Sequence, residues 1–198
     1  MKRIVIAGGI GAGKSAISDR LRDRGYTVID ADDVAHDVTA KGSPAFRALV
    51  DAFGSAVFSN DGALDRAFMA EIVFNDASAL RRLNRITHGA IGLEIVRRLD
   101  EATGDAAFVA VPLFRRELRT GFKIDEVWAV QVAPETAVRR LIEGRGFIEA
   151  DARARLASQM SNDERSAIVD RVIWNEGTLD ELYAQLDEAL ELVGLARG

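Results

Sequence analysis

Short apolar, largely β-branched runs alternate along this chain with stretches whose apolar positions recur every three or four residues. The runs 4–7, 27–30, 107–111, 127–132 and 169–173 have the length and composition of strands covered on both faces. Helical patterns separate them. The alternation predicts an α/β fold, a parallel five-stranded sheet flanked by helices.

The helical stretches are uneven. Residues 16–24 carry Ile17 and Leu21 four apart. Ser43-Pro44 opens a helix on which Phe46, Leu49, Val50 and Phe53 fall at i, i+3, i+4 and i+7. Asn60-Asp61-Gly62 is a turn signal, and helices are expected at about 65–74 and 76–98. So much helix between two strands exceeds what a crossover needs. It predicts an inserted helical subdomain, over 36–99, that holds an acceptor substrate.

Pro134 and Glu135 start another helix that runs to about Glu143, where Gly144-Arg145-Gly146 should break it before a helix over 149–160. This pair reads equally as a mobile lid, over 143–165, or as a surface hairpin. Thr178 and Glu181 form a capping box for a last helix, with Leu179, Leu182, Leu186, Leu190 and Val193 along one core-facing stripe. The remaining segments, 1–35, 100–142 and 166–198, make up the sheet-bearing core.

Composition narrows the function classes. At 198 residues the chain supports one substantial core, and 48% hydrophobic with 29% charged residues is ordinary for a globular protein. A net charge of -5 argues against a nucleic-acid binder. Absence of cysteine excludes disulfides, thiolate catalysis and cysteine zinc sites, and His36 and His88 are too separated for a metal cluster. No apolar run approaches the ~20 residues that span a bilayer, and no signal-peptide pattern is present. The expectation is a cytoplasmic monomer acting on small molecules.

The chemistry concentrates in residues 8 to 15, Gly-Gly-Ile-Gly-Ala-Gly-Lys-Ser, which fit G-x-x-x-x-G-K-[ST] between a strand and a helix. Glycines admit phosphate oxygens to backbone N–H groups, and a helix N-terminus adds partial positive charge. Gly9, Ile10, Gly11, Ala12, Gly13, Lys14, Ser15 and Ala16 are therefore the predicted nucleotide contacts. Lys14 suits the β- and γ-phosphates, and the Ser15 hydroxyl suits Mg²⁺.

The second strand ends in Asp30-Ala31-Asp32-Asp33, on the sheet edge where α/β folds bind ligands. A carboxylate there can take a proton from an acceptor hydroxyl or ligate Mg²⁺, and one of the aspartates is expected to cap a helix. No Asn-Lys-x-Asp follows, which disfavours a GTPase. The third strand leads from Ala110 and Val111 into Pro112 without an acid, which disfavours the common ATPase motors. Arginines gather at Arg115, Arg116 and Arg119, at Arg139, Arg140 and Arg145, and at Arg153, Arg155 and Arg165. Arg140 and Arg145 are the predicted phosphate contacts. Asn175, in Trp-Asn-Glu-Gly, suits either an adenine edge or an ordinary turn.

Taken in order, these motifs resemble the dephospho-CoA kinase family over residues 4 to about 189. The resemblance rests on the glycine loop, Val28-Ile29-Asp30-Ala31-Asp32 with Ala35-His36, and Leu64-Asp65-Arg66 with Val73-Phe74. It continues through Ile86-Thr87-His88 and through Gln159, Arg165, Asp170, Asn175 and Gly177. It implies a P-loop core with a helical acceptor domain and a lid, ATP and Mg²⁺ as cofactors, and dephospho-CoA as substrate. By the same resemblance Asp32 is the general base and Arg140 a phosphate-side arginine. Asn175 is placed near adenine, and Arg66 and His88 on the acceptor side.

The chain also departs from the family pattern. Gly89 stands where proline follows the histidine, and Ala110 replaces an acid. Leu113-Phe114-Arg115-Arg116 replaces the rest of that segment, with Glu117 one position late. The lid arginine, Arg145, is shifted by one residue, a turn of about 100° on a helix. Two alternatives follow from these departures: a P-loop kinase for another acceptor such as a nucleoside monophosphate, or a nucleotide-binding protein without catalysis.

Overall fold

A computed structural model describes residues 1–59, 62–74 and 76–195. Five parallel strands, β1 (Lys2–Gly8), β2 (Thr27–Asp30), β3 (Ala106–Val111), β4 (Glu126–Gln131) and β5 (Arg171–Trp174), lie in the order β2-β3-β1-β4-β5. β1 pairs with β3 in the register Ile4↔Phe108 and with β4 in the register Ile4↔Glu126. The chain therefore leaves the sheet centre at β1, a topological switch point, and the glycine loop starts there.

The chain divides into two compact units, 1–29 with 102–198 and 30–101. In the first, α1 (Lys14–Asp23) and α10 (Leu179–Leu192) pack beside the sheet. Ile4, Ile6, Phe108, Trp128 and Ile173 join Ile17, Leu21, Leu182, Leu186 and Leu190 in one core. Burial of each such side chain contributes about 1.5–3 kcal/mol. Tyr26 meets Phe108 edge-on, Phe108 meets Trp128 likewise, and the Tyr26 hydroxyl donates to the Leu195 carbonyl. Leu179 departs from the expected stripe. It is 55% exposed, because the first helical residue projects past the core that holds Leu182 and Leu186.

The first unit also carries α6 (Arg116–Gly121), α7 (Pro134–Arg145), α8 (Glu149–Ala157) and α9 (Asn162–Ser166). α7 runs through Gly144 and Arg145 and ends only at Gly146, whose φ of +67° supplies the left-handed cap. α8 stops at Ala157, short of the expected 160, and Ser161 with Glu164 forms a capping box that starts α9. α8 packs on α7 through Ala152, Val138 and Leu141, so residues 143–165 belong to this unit. β5 starts two residues later than expected. Asp170 holds the Val127 N–H with its carboxylate at 2.7 Å, and the ladder begins at Arg171.

The second unit comprises α2 (Ala31–Thr39), α3 (Pro44–Phe53), a 3₁₀ turn (Ser55–Val57), α4 (Arg66–Phe74) and α5 (Ala77–Glu101). It begins at Asp30 rather than at 36, because α2 packs on α3 and α5. Ser43 caps α3, accepting from the Phe46 N–H at 2.9 Å, and Asp76 caps α5. Val34, Leu49, Ile95 and Leu99 are fully buried. The expected turn at Asn60-Asp61 lies outside the described residues.

A charge network ties α5 to α2: Arg98 bonds Asp37 at 2.7 Å and Glu94 at 2.8 Å. Hydrogen bonds from Arg97 and Arg98 pull the Glu94 carboxyl down from 4.5 to about 2. A lowered folded-state value stabilises above 4.5, and that contribution is lost as pH falls through about 2. Glu94→Gln should therefore lower the urea midpoint at neutral pH and lose less of it between about pH 5 and pH 2 than the wild type does. Equal pH slopes in urea titrations of the two proteins would refute this.

No helix of the described residues is long and apolar enough to cross a membrane.

Candidate active site

The loop between β1 and α1 owes its shape to glycine. Gly11 and Gly13 have φ of +75° and +95°, which L side chains rarely adopt. A Cβ on Gly13 would lie 2.1 Å from Asn175 Nδ2. α1 starts at Lys14 with no side-chain cap on Gly13 and no acid in its first turn. Its first N–H groups are thus open to an anion, with the helix dipole behind them. Lys14 is half-buried, and Ser15 is exposed on the same first turn.

Residues distant in sequence hold this loop. Asn175 Nδ2 donates to the Ala12 carbonyl at 2.8 Å. Arg140 Nη2 donates to the Asn175 carbonyl at 2.9 Å, and Arg140 Nη1 to the Gly11 carbonyl at 3.4 Å. Gln159 Oε1 accepts from the Ile10 N–H at 3.0 Å. Glu176 accepts from the Ala133 N–H and from Thr136 Oγ1, and so caps α7. Sequence reasoning selected Arg140 and Asn175 as nucleotide contacts, and the structure brings both to the loop backbone. Asn175 is only 5% exposed, with its amide engaged by the Ala12 carbonyl. Its neighbour Trp174 is the residue of that turn that lines open space.

Gly13→Ala should therefore cost about 1–2 kcal/mol from backbone handedness alone. The collision with Asn175 adds to that, and the melting temperature should drop by at least roughly 2–4 °C. Nucleotide binding should weaken with it. An unchanged melting temperature would show that the loop absorbs the side chain.

Above the loop lies a cavity of about 790 Å³, lined among others by Gly9, Ile10, Pro134, Leu156, Arg165 and Trp174. Arg165 is 8% exposed. Its guanidinium donates to Asn162 Oδ1 at 3.1 Å and to the Met160 carbonyl at 2.9 Å, both neutral acceptors. Among the described residues no carboxylate pairs with it, and burial pushes its pKa below the usual arginine range. Arg145, selected from sequence beside Arg140, is instead exposed in the last turn of α7. Sequence reasoning passed over Arg165 as a contact. Its marks were a place in the third arginine cluster and in an ordered family motif, and neither shows burial beside a glycine, which is a tertiary fact.

In the second unit Asp30 is the aspartate that caps. Its Oδ1 accepts from the Asp32 N–H at 2.9 Å. That leaves Asp32 and Asp33 as exposed carboxylates in the first turn of α2, and no described residue bonds the Asp32 carboxylate. His88 is exposed on α5, which passes unbroken through Gly89, where proline would remove a backbone donor. Arg66 starts α4, and its side chain lies outside the described residues. A smaller cavity of about 210 Å³ is lined by His36, Thr39, Lys41 and Leu64 with their neighbours. Among the described residues no three His, Cys, Asp or Glu side chains group as a metal site.

The sequence profile of the dephospho-CoA kinase family matches residues 3–181, from the first strand into the last helix. The chain belongs to the dephospho-CoA kinase family. A dephospho-CoA kinase of Corynebacterium glutamicum is 42% identical over 192 residues, covering 96% of each chain. The crystal structure of a Thermus thermophilus protein superposes with a TM-score of 0.79 at 28% identity, over 97% of each chain. A dephospho-CoA kinase from Campylobacter jejuni has the same fold, with a TM-score of 0.65 at 22% identity, over 100% of this chain and 98% of that one. Like its family, the chain is a kinase. The departures at Gly89, Ala110 and 113–116 sit within a chain that matches the family nearly end to end.

Proposed function

We propose that this chain transfers the terminal phosphoryl group of ATP to the ribose 3′-hydroxyl of dephospho-CoA, yielding CoA and ADP. The observation that carries the reading is the uncapped N-terminus of α1, with Lys14 and Ser15 on its first turn, at the end of the central strand of a dephospho-CoA kinase family chain.

Phosphoryl transfer leaves the protein little covalent chemistry and asks for position and charge. In this reading the loop N–H groups from Gly9 to Ala16 cradle the phosphates. Lys14 offsets charge on the β- and γ-oxygens, and Arg140 and Arg145 stand on the phosphate side. Asp32 takes the proton from the 3′-hydroxyl as that oxygen bonds to the γ-phosphorus. The bond from that phosphorus to the bridging oxygen breaks, and ADP leaves with the electron pair. Asn175 holds the loop through the Ala12 carbonyl, and Arg66 and His88 serve the acceptor.

The donor set fits Mg²⁺. The Ser15 hydroxyl and the Asp32 carboxylate are hard oxygen ligands, and both are exposed. In this reading Ser15 would ligate the ion and Asp32 is taken as a further oxygen ligand; the ion would offset charge on the phosphates.

The reading is tested by ADP release from Mg²⁺-ATP with dephospho-CoA and, in parallel, with nucleoside monophosphates. Stimulation by dephospho-CoA alone is expected. Stimulation by a nucleoside monophosphate instead would transfer the assignment to that acceptor, and the exposed Arg115 and Arg116 after β3 would be the first residues to vary. Nucleotide binding with no stimulation by any acceptor would indicate a non-catalytic protein.

A further inference from the structure

Gln159 and Arg165 reach the loop at the same place. A Cβ on Gly9 would lie 3.1 Å from Gln159 Oε1 and 3.4 Å from Arg165 Nη2. A side chain there would crowd the Gln159 oxygen and touch the guanidinium, so both groups stand against the loop backbone at Gly9. Gln159 Oε1 takes the Ile10 N–H at 3.0 Å, as a phosphate oxygen would. Arg165 lies buried beside it, facing the large cavity, and among the described residues its guanidinium meets only neutral acceptors. A buried cation left without a counter-charge is costly unless an anion joins it.

Position along the loop says which part of the anion. The α- and β-phosphates belong to the N–H groups at the start of α1, where Lys14 and Ser15 stand. Ile10 is on the other limb of the loop, four residues before that helix. A donor and a guanidinium there are placed for the phosphate beyond the cradle.

We infer that Arg165 and the Ile10 N–H grip the terminal phosphate of the nucleoside triphosphate, with Gln159 Oε1 occupying that oxygen position until the triphosphate displaces it. The pair thereby sets the preference for triphosphate over diphosphate. The inference rests on the kinase reading above and assigns the γ-phosphate contacts within it. Arginine presents a planar fork to phosphate that lysine does not reproduce.

The test is equilibrium titration of the purified full chain with Mg²⁺-ADP and with a non-hydrolysable Mg²⁺-ATP analogue. Arg165→Lys should raise the analogue Kd about tenfold or more relative to the ADP Kd, the scale of one charged hydrogen bond. Gln159→Ala should shift the preference severalfold toward the analogue, since it removes the competitor for the Ile10 N–H. Equal changes for both ligands in both variants would mean a structural role only and overturn the inference. Should Arg165→Lys fail to fold, an unchanged preference in Gln159→Ala overturns it alone. A wild-type chain that binds neither nucleotide would overturn the kinase reading and the inference with it, a result distinct from nucleotide binding with unaltered preference.

Discussion

Acceptor-dependent phosphoryl transfer should fall by roughly 10³-fold in Lys14→Ala, the scale set by removing one preorganised electrostatic contact from a transition state. Lys14 is the first residue of α1, half-buried, and outside the apolar core built by Ile17 and Leu21. Removing its side chain leaves the loop carbonyls of Gly11 and Ala12 held by Arg140 and Asn175. The loop N–H groups remain, so nucleotide affinity should drop far less than turnover. Steady-state kinetics with a melting curve separates these effects. Wild-type turnover would remove Lys14 from the mechanism, and a lost melting transition would mean that its role is in folding.

Asp32→Asn should lower kcat by about 10²–10⁴-fold, the usual contribution of a positioned general base. The substitution keeps size and exposure, and the Asp32 N–H still donates to the Asp30 cap. The α2 start therefore stays intact, and ATP affinity should hold within a fewfold. Asp33, also exposed in the first turn of α2, is the control. Asp33→Asn should retain most activity. If Asp33→Asn is the crippled variant and Asp32→Asn is not, the base has been assigned to the wrong carboxylate.

What was legible in the sequence depended on how local its cause is. The glycine loop could be read because its constraints lie within eight consecutive residues, each with a stated backbone or charge requirement. β2 falls at its expected bounds, and the capping box of α10 is a three-residue relation of the same local kind. The start of β5 was misplaced because Asp170 meets a backbone donor with its side chain, at Val127 on another strand. The end of α7 falls later than expected because two glycines stand on either side of Arg145 and only the backbone shows that Gly146 takes the left-handed cap. The helical unit starts at Asp30 rather than at 36 because packing of α2 on α3 and α5, a tertiary fact, decides it.

In the site, residue types were legible and partners were not. Nothing in the spacing of Arg140, Arg145 and Arg165 tells which guanidinium holds loop carbonyls, which is exposed and which is buried. Likewise Asp30 and Asp32 have the same side chain two residues apart. The 2.9 Å bond from the Asp32 N–H to the Asp30 carboxylate separates cap from free acid.

The most direct test is to follow labelled γ-phosphate from Mg²⁺-ATP into dephospho-CoA and to locate it by mass and phosphorus NMR, with Lys14→Ala as control. One phosphoryl group on the ribose 3′-oxygen per ADP formed, lost in the variant, is the predicted result. ADP formed without that product, or a phosphoryl group carried on any other acceptor atom, would contradict the account.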